Sequence, residues 1–220
     1  MGLIEPKTKQ CVAFIDAASL HRSLQLAFGT SWPAFHPQLL AKTICDREGW
    51  ELTGTRLYAM IPREEQDVRW NKFWTRKLRT HERDGVVTFK AFFNAASRLC
   101  PIEDGNGNIK CMESHRVYGH EEIVARMSLD LVSQYYKNTF DVALLFSKEA
   151  ALIQAIRDLR ASAQKDEQWI KFASAVPYEA SQGNHGYRGV DETDWIHFDR
   201  DLYSQCLDTN DYRQPLVQVA

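Results

Sequence analysis

Acidic residues stand at the places in this chain where chemistry is easiest to build. Asp16 ends the apolar run Cys11-Val12-Ala13-Phe14-Ile15, and Ser147-Lys148-Glu149 follows a second apolar run over 142–146. Glu121, Glu122 and Asp130 lie on a later amphipathic stretch. In open parallel sheets ligands sit beyond the carboxyl ends of the strands, which is where residues just after such runs fall. Carboxylates converging there from two strand ends and a helix suit a hard dication such as Mg²⁺ or Mn²⁺. Such an ion activates water and stabilises charge on a phosphate. Each acid also has a plainer role open to it. Asp16 suits the N-cap of a following helix, and Glu149 suits the positive end of its own helix.

A second chemical signal is basic. Residues 56–98 carry ten Lys/Arg against five Asp/Glu, whereas 141–220 carries eight against thirteen. Within the basic part, Arg69, Lys72, Arg76, Arg79 and Arg83 recur at spacings of three and four, opposite an apolar face of Trp70, Phe73 and Trp74. A stripe of this kind, with Lys148 near the acidic end of a strand, can track a phosphate backbone, single-stranded RNA in particular. It also reads as an ordinary solvated helix face. Cys100, Cys111, His115 and His120 lack the short Cys pair that usually nucleates a zinc site, so hairpin or core thiols are expected there. His185 and His197 are isolated in the sequence. The Gly-rich dinucleotide loop, the phosphate loop G-x-x-x-x-G-K and H-E-x-x-H are all missing, which disfavours redox and ATP-driven chemistry.

These residues need a scaffold, and the pattern supplies one. The 220 residues are 44% hydrophobic and 25% charged, with a net charge of −2, the balance of a globular domain. No apolar run approaches the roughly 20 residues of a membrane span, and no signal region opens the chain. The cysteine count of five is odd, which predicts free thiols and a cytoplasmic setting. Strands are expected over 11–15, 52–61, 86–93, 141–147, 169–176 and 195–198. Helices are expected over 17–27, 37–48, 66–83, 120–136 and 149–163, with a short one ending near Tyr203. The Asp104-Gly105-Asn106-Gly107-Asn108 turn predicts a protruding hairpin over 100–111, and 181–189 reads as a loop. Strands that are apolar throughout and alternate with helices predict one three-layer α/β domain over 1–220 with a mostly parallel sheet. The runs at 12–15 and 142–146 are expected side by side at its centre.

Five segments in order resemble the NYN family of PIN-like nucleases, the group that includes LabA-type proteins. They are VAFIDAASL (12–20), EEIVARMSLDLV (121–132), FDVALLFSKEAALIQAIRDLR (140–160), WIKFASAVP (169–177) and RGVDETDWIHFDRDLYSQCLDTNDYR (188–213). The last two are similar to the closing section of a bacterial branch, a strand–helix extension over about 188–213. The resemblance implies a PIN-like fold and Mg²⁺- or Mn²⁺-dependent cleavage of RNA. It places Asp16 and Glu149 as metal ligands, with Asp130 and Glu121 as further catalytic carboxylates and Asp194 more remote. Two departures fall on functional positions. Val124 stands where the family carries a metal-binding Asp, and Ala151 stands at the second acid of the strand-end turn. A Val cannot ligate a cation, so the resemblance implies an eroded site. The expectation is an RNA-related protein with impaired hydrolysis, and the alternative is a non-catalytic module that binds RNA, a protein partner or a second copy of the chain.

Overall fold

The computed structural model describes residues 4–93, 95–103, 109–118, 120–180 and 188–213, and for 95–118 it describes the backbone alone. Chain order runs β1 (Lys9–Asp16), α1 (Ala17–Phe28), α2 (Pro37–Glu48), β2 (Trp50–Ile61), α3 (Val68–Arg83) and β3 (Val87–Phe92). It continues with β4 (Ala95–Glu103), β5 (Ile109–Tyr118), α4 (Glu121–Tyr136), β6 (Val142–Phe146) and α5 (Leu152–Lys165). The last elements are β7 (Lys171–Pro177), β8 (Asp194–Phe198) and α6 (Arg200–Gln205). Six strands form one sheet in the order β3-β2-β1-β6-β7-β8, and every pairing in it is parallel. The order reverses between β1 and β6, the two strands expected side by side, where Cys11–Ile15 pair with Val142–Phe146. That reversal opens a crevice at the carboxyl ends, the usual ligand site of such sheets.

Alternation along the central strands assigns the two helical layers. Cys11, Ala13 and Ile15 face one core with α1, α2 and α3, while Val12 and Phe14 face the other with α4 and α5. The sheet is therefore covered on both sides, as fully apolar parallel strands require. Caps set the helix starts: Asp16 accepts from two amides of α1, Asp67 from Trp70 of α3, and His36 precedes Pro37 of α2. The hairpin is longer than the turn signal implied. Its strands β4 and β5 pair antiparallel in a sheet of their own, and its expected turn at 104–108 lies outside the described residues, as does the loop of 181–187. No helix among the described residues is long and apolar enough to cross a membrane.

One polar knot ties the late chain to the early chain. Lys77 is fully buried on the core face of α3, where Nζ donates to the Phe35 carbonyl at 2.6 Å and to Asp208 Oδ2 at 3.0 Å. The same carboxylate meets His81 Nε2 at 2.9 Å and accepts from the Tyr212 hydroxyl at 2.8 Å, while Asn210 N–H bonds its other oxygen. Burial pushes the Asp208 carboxyl up, but the His81 bond, the Lys77 charge and the remaining donors outweigh it and hold it far below the carboxylate range. Burial also pushes the Lys77 ammonium down, to about 8, against the pull of Asp208. Removing one partner of such a pair strands the other charge. Asp208→Asn is expected to cost about 3–5 kcal/mol, read as a lowered urea midpoint with the slope unchanged.

Candidate functional site

Strand β1 runs straight into α1, so Asp16 is at once the last residue of the strand and the cap of the helix. Its side chain is wholly buried. Oδ1 accepts from the amides of Ala18 at 3.1 Å and Ser19 at 3.2 Å. Oδ2 faces His120 Nε2 at 2.7 Å. His120 occupies the N-cap position of α4 yet makes no side-chain cap bond, because its ring is turned to Asp16 instead. Glu149 follows the carboxyl end of β6, where its amide bonds Ser147 Oγ at 3.2 Å. Ser19 Oγ accepts from the Lys148 amide at 3.2 Å, which locks α1 to the turn after β6. One ligand atom each from Asp16, His120 and Glu149 lies within 4.8 Å of the others, an arrangement that could hold a metal ion.

The sequence-derived candidates separate in the fold. Asp16 and Glu149 come together, and the cap reading of Asp16 holds as well. Glu149 belongs to a turn, because α5 begins at Leu152 rather than at 149. Asp130 is not among the clustered ligand atoms. Its carboxylate is held by Tyr58 at 2.7 Å, Arg56 at 3.1 Å and Arg126 at 3.1 Å. Glu121 is exposed on the first turn of α4, where it adds negative charge near His120 without joining the cluster. Val124 is buried and Ala151 exposed, and neither offers a ligand atom. Asp194 opens the edge strand β8, three strands across the sheet from β1 and level with Ala13 rather than with Asp16, and pairs with Lys171.

The basic stripe is divided. Arg69, Lys72, Arg79 and Arg83 are exposed on α3, with Glu64 beside Lys72 at 3.8 Å. Arg76 is half-buried and donates to the Tyr212 carbonyl at 3.3 Å, so it anchors the C-terminal segment. Lys148 is half-buried beside the cluster. His197 is exposed, and the side chains of Cys100, Cys111 and His115 lie outside the described residues, as does His185.

A cleft of about 900 Å³ opens between α1 and α3. Ala18, His21, Arg22 and Gln25 form one wall, and Trp70, Trp74 and Phe93 supply aromatic surface opposite. Ala18 belongs to both places, since its amide bonds Asp16 and the residue lines the cleft. Family models, curated proteins and solved structures offer no match to this chain.

His120 and the cleft were what sequence reasoning missed. Trp70 and Trp74 look like core in a helical pattern, and His120 gained attention only through its spacing from two cysteines. Its place directly before Glu121 and Glu122 at the start of a helix is the signal that could have found it.

The donor set decides which ion fits. Two carboxylates and an imidazole suit Mn²⁺ better than Mg²⁺, which takes oxygen ligands almost alone. His120 also carries its own proton readily: the hydrogen bond to Asp16 raises its pKa above the ordinary value, with burial opposing and the charges of Asp16, Glu149 and Glu121 assisting. The sign of the linkage follows. The stabilisation is fully present below the unfolded value of about 6.5 and disappears as pH rises through the higher folded value. The melting-temperature difference between the wild-type chain and His120→Gln is therefore expected to be largest below pH about 6.5 and to shrink above it. Thermal melts of both proteins across that window check this.

Proposed function

We propose that this chain binds single-stranded RNA in the cleft between α1 and α3, and that the Asp16–His120–Glu149 cluster beside it is a weak divalent-cation site with slow or no phosphodiester hydrolysis. One observation carries the reading: cleft and cluster share a wall, because Ala18 lines the first and donates to Asp16 in the second. A strand threaded along the aromatic surface brings a phosphate towards the carboxylates. Trp70, backed on one side by Trp32, and Phe93 are half-buried at the cleft and offer ring surface on which bases stack irrespective of their identity, over a floor that includes the buried Trp74. Arg22 supplies a charge for a phosphate inside a cleft that Glu65 and Asp67 also line, so the basic attraction comes chiefly from Arg69, Lys72 and Arg79, an exposed approach along α3. The resemblance to RNA-cleaving NYN proteins points the same way.

Weak hydrolysis follows from the ligand count. Asp16 and Glu149 are the two oxygen donors and His120 the nitrogen donor that would hold Mn²⁺ there. A dication bound in such a place acts as a Lewis acid and lowers the pKa of water. With Val124 and Ala151 at the positions of further acids, only two carboxylates supply negative charge within the cluster. His120 meanwhile provides a competing positive charge at 2.7 Å from Asp16. The half-buried Glu149 and the wholly buried Asp16 are thus already partly neutralised before any ion arrives.

The test uses the full chain, a short labelled single-stranded RNA and MnCl₂. Trp70→Ala is expected to weaken RNA binding by about 1–3 kcal/mol for each base it stacks. Lys72→Glu with Arg79→Glu should lower the salt slope by about 0.7 for each phosphate that the variant no longer neutralises. Glu149→Gln should remove the Mn²⁺ calorimetric signal and leave RNA affinity in place. Unchanged RNA affinity in Trp70→Ala overturns the cleft assignment. Brisk cutting of RNA in Mg²⁺ that Asp16→Asn abolishes overturns the weak-site assignment.

A further inference from the structure

A second constellation lies at the other end of α3 from the cleft, where the helix reaches its C-terminus. His81, fully buried, sits on the last turn of α3, and Asp84 caps it. His36, at the N-cap of α2, packs its ring edge-on to that of His81 with centroids 4.7 Å apart. One ligand atom each from His36, His81 and Asp84 lies within 4.8 Å of the others.

We propose that His36, His81 and Asp84 form a binding site for a transition-metal dication of the Zn²⁺ class, separate from the Asp16 cluster. The decisive observation is His81 Nδ1. This nitrogen is buried and has no hydrogen-bond partner, and it lies 3.8 Å from Asp84 Oδ2. Its other nitrogen, Nε2, meets the Asp208 carboxylate at 2.9 Å. A carboxylate only accepts, so Nε2 carries the proton and, in the neutral ring, Nδ1 presents a bare lone pair. Carboxylate, imidazole and vacant lone pair in a row is the arrangement by which proteins orient a histidine towards a metal. A buried polar atom left unpaired otherwise costs free energy, which an ion in this position would recover.

The remaining donors suit the same ion. His36 favours the neutral form, because burial lowers its pKa and the neighbouring His81 and Lys77 add to that, with Asp208 and Asp84 opposing. Its Nδ1 is engaged only by a long 3.3 Å contact from the Leu39 amide, which a metal can displace. Asp84 is half exposed and gives the ion both a negative charge and a route from solvent. Lys77 brings a positive charge nearby, and Asp208, bonded to it, cancels that charge. Two imidazoles and one carboxylate select a borderline dication over Mg²⁺ or Ca²⁺. With ligand bonds of about 2.0–2.2 Å, tetrahedral neighbours lie roughly 3.4 Å apart. The 3.8 Å gap between His81 and Asp84 therefore needs only a small closure. Three protein ligands leave a fourth position for water. The ion would join the start of α2 to the end of α3.

The experiment uses the full chain carrying Glu149→Gln, which removes the other cluster, stripped of metal by a chelator and dialysed. Co²⁺ is titrated and read by its visible absorption, and Zn²⁺ is then added as competitor. One equivalent of Co²⁺ with a tetrahedral-type band, displaced by Zn²⁺, is expected, together with a melting temperature that rises with Zn²⁺ concentration. Asp84→Asn, on a half-exposed side chain, and His36→Asn should each weaken binding by more than the 10–100-fold that loss of a mere supporting group costs. Melts without metal establish that both variants fold. A Glu149→Gln chain that shows neither the Co²⁺ band nor a Zn²⁺-dependent melting shift overturns the proposal. So does unchanged Co²⁺ affinity in Asp84→Asn, which keeps the test decisive should His36→Asn fail to fold.

Discussion

The carboxylate of Asp16 is the contact on which the site depends. A buried negative charge at the end of a central strand must be met from within the protein, and here both oxygens are met. One receives the first amides of α1, which is why the helix can start without a connecting loop. The other receives His120, which draws the start of α4 over the crevice where the strand order reverses. The side chain therefore fixes the entry of one helix on each side of the sheet. Ser19, one turn into α1, then holds the turn after β6 through the Lys148 amide and keeps Glu149 within reach. Moving Asp16 would move all three elements at once.

Much of this frame is legible in the residues because its driving force is local and repetitive. Runs such as Val142–Phe146 are apolar on both faces, a pattern that only a strand covered on both sides can satisfy. The adjacency of β1 and β6 follows from the same pattern, and the structure bears it out. Asp16 is legible because an acid directly after such a run stands at a strand end and at a helix start at once, and it serves as the cap as well. The less legible parts rest on partners far away in the chain. Asp130 carries the same charge as Asp16, but Tyr58 and Arg56 on β2 hold it. Nothing near Asp130 in sequence announces them. Arg76 looks like its neighbours in the basic stripe until the backbone of Tyr212 is placed against it. The one local clue that periodicity did contain is Lys77. It falls in register with Phe73, Trp74 and Leu78 on the apolar face, where a charge has to find a buried partner.

Helix α3 shows how one segment can serve several environments. Arg69, Lys72, Arg79 and Arg83 face water, Trp70 faces the cleft, and the buried Trp74 lies between cleft and core. Phe73, Lys77, Leu78 and His81 face the core. Sixteen residues of helix give enough turns to separate these faces along the axis as well as around it. The aromatic end lies towards the carboxyl edge of β2, whereas the Lys77–His81 end lies against the start of α2 and the C-terminal segment. Arg69, Lys72, Arg79 and Arg83 belong neither to the cleft lining nor to the hydrogen bonds of the buried knot, whereas Arg76 of the same stripe reaches the Tyr212 carbonyl.

The knot around Lys77 has a consequence for the order in which the molecule is made. A ribosome delivers Lys77 long before Asp208, which follows it by 131 residues. Until then the Asp208 carboxylate that accompanies the lysine into the interior is missing, and burying Lys77 costs more. The sheet strands β1 and β2 are already synthesised and present apolar surface to pair and cover. Seating the inner face of α3 is therefore least costly once residues 208–212 are present. What α3 leaves open, a segment 131 residues further along the chain closes.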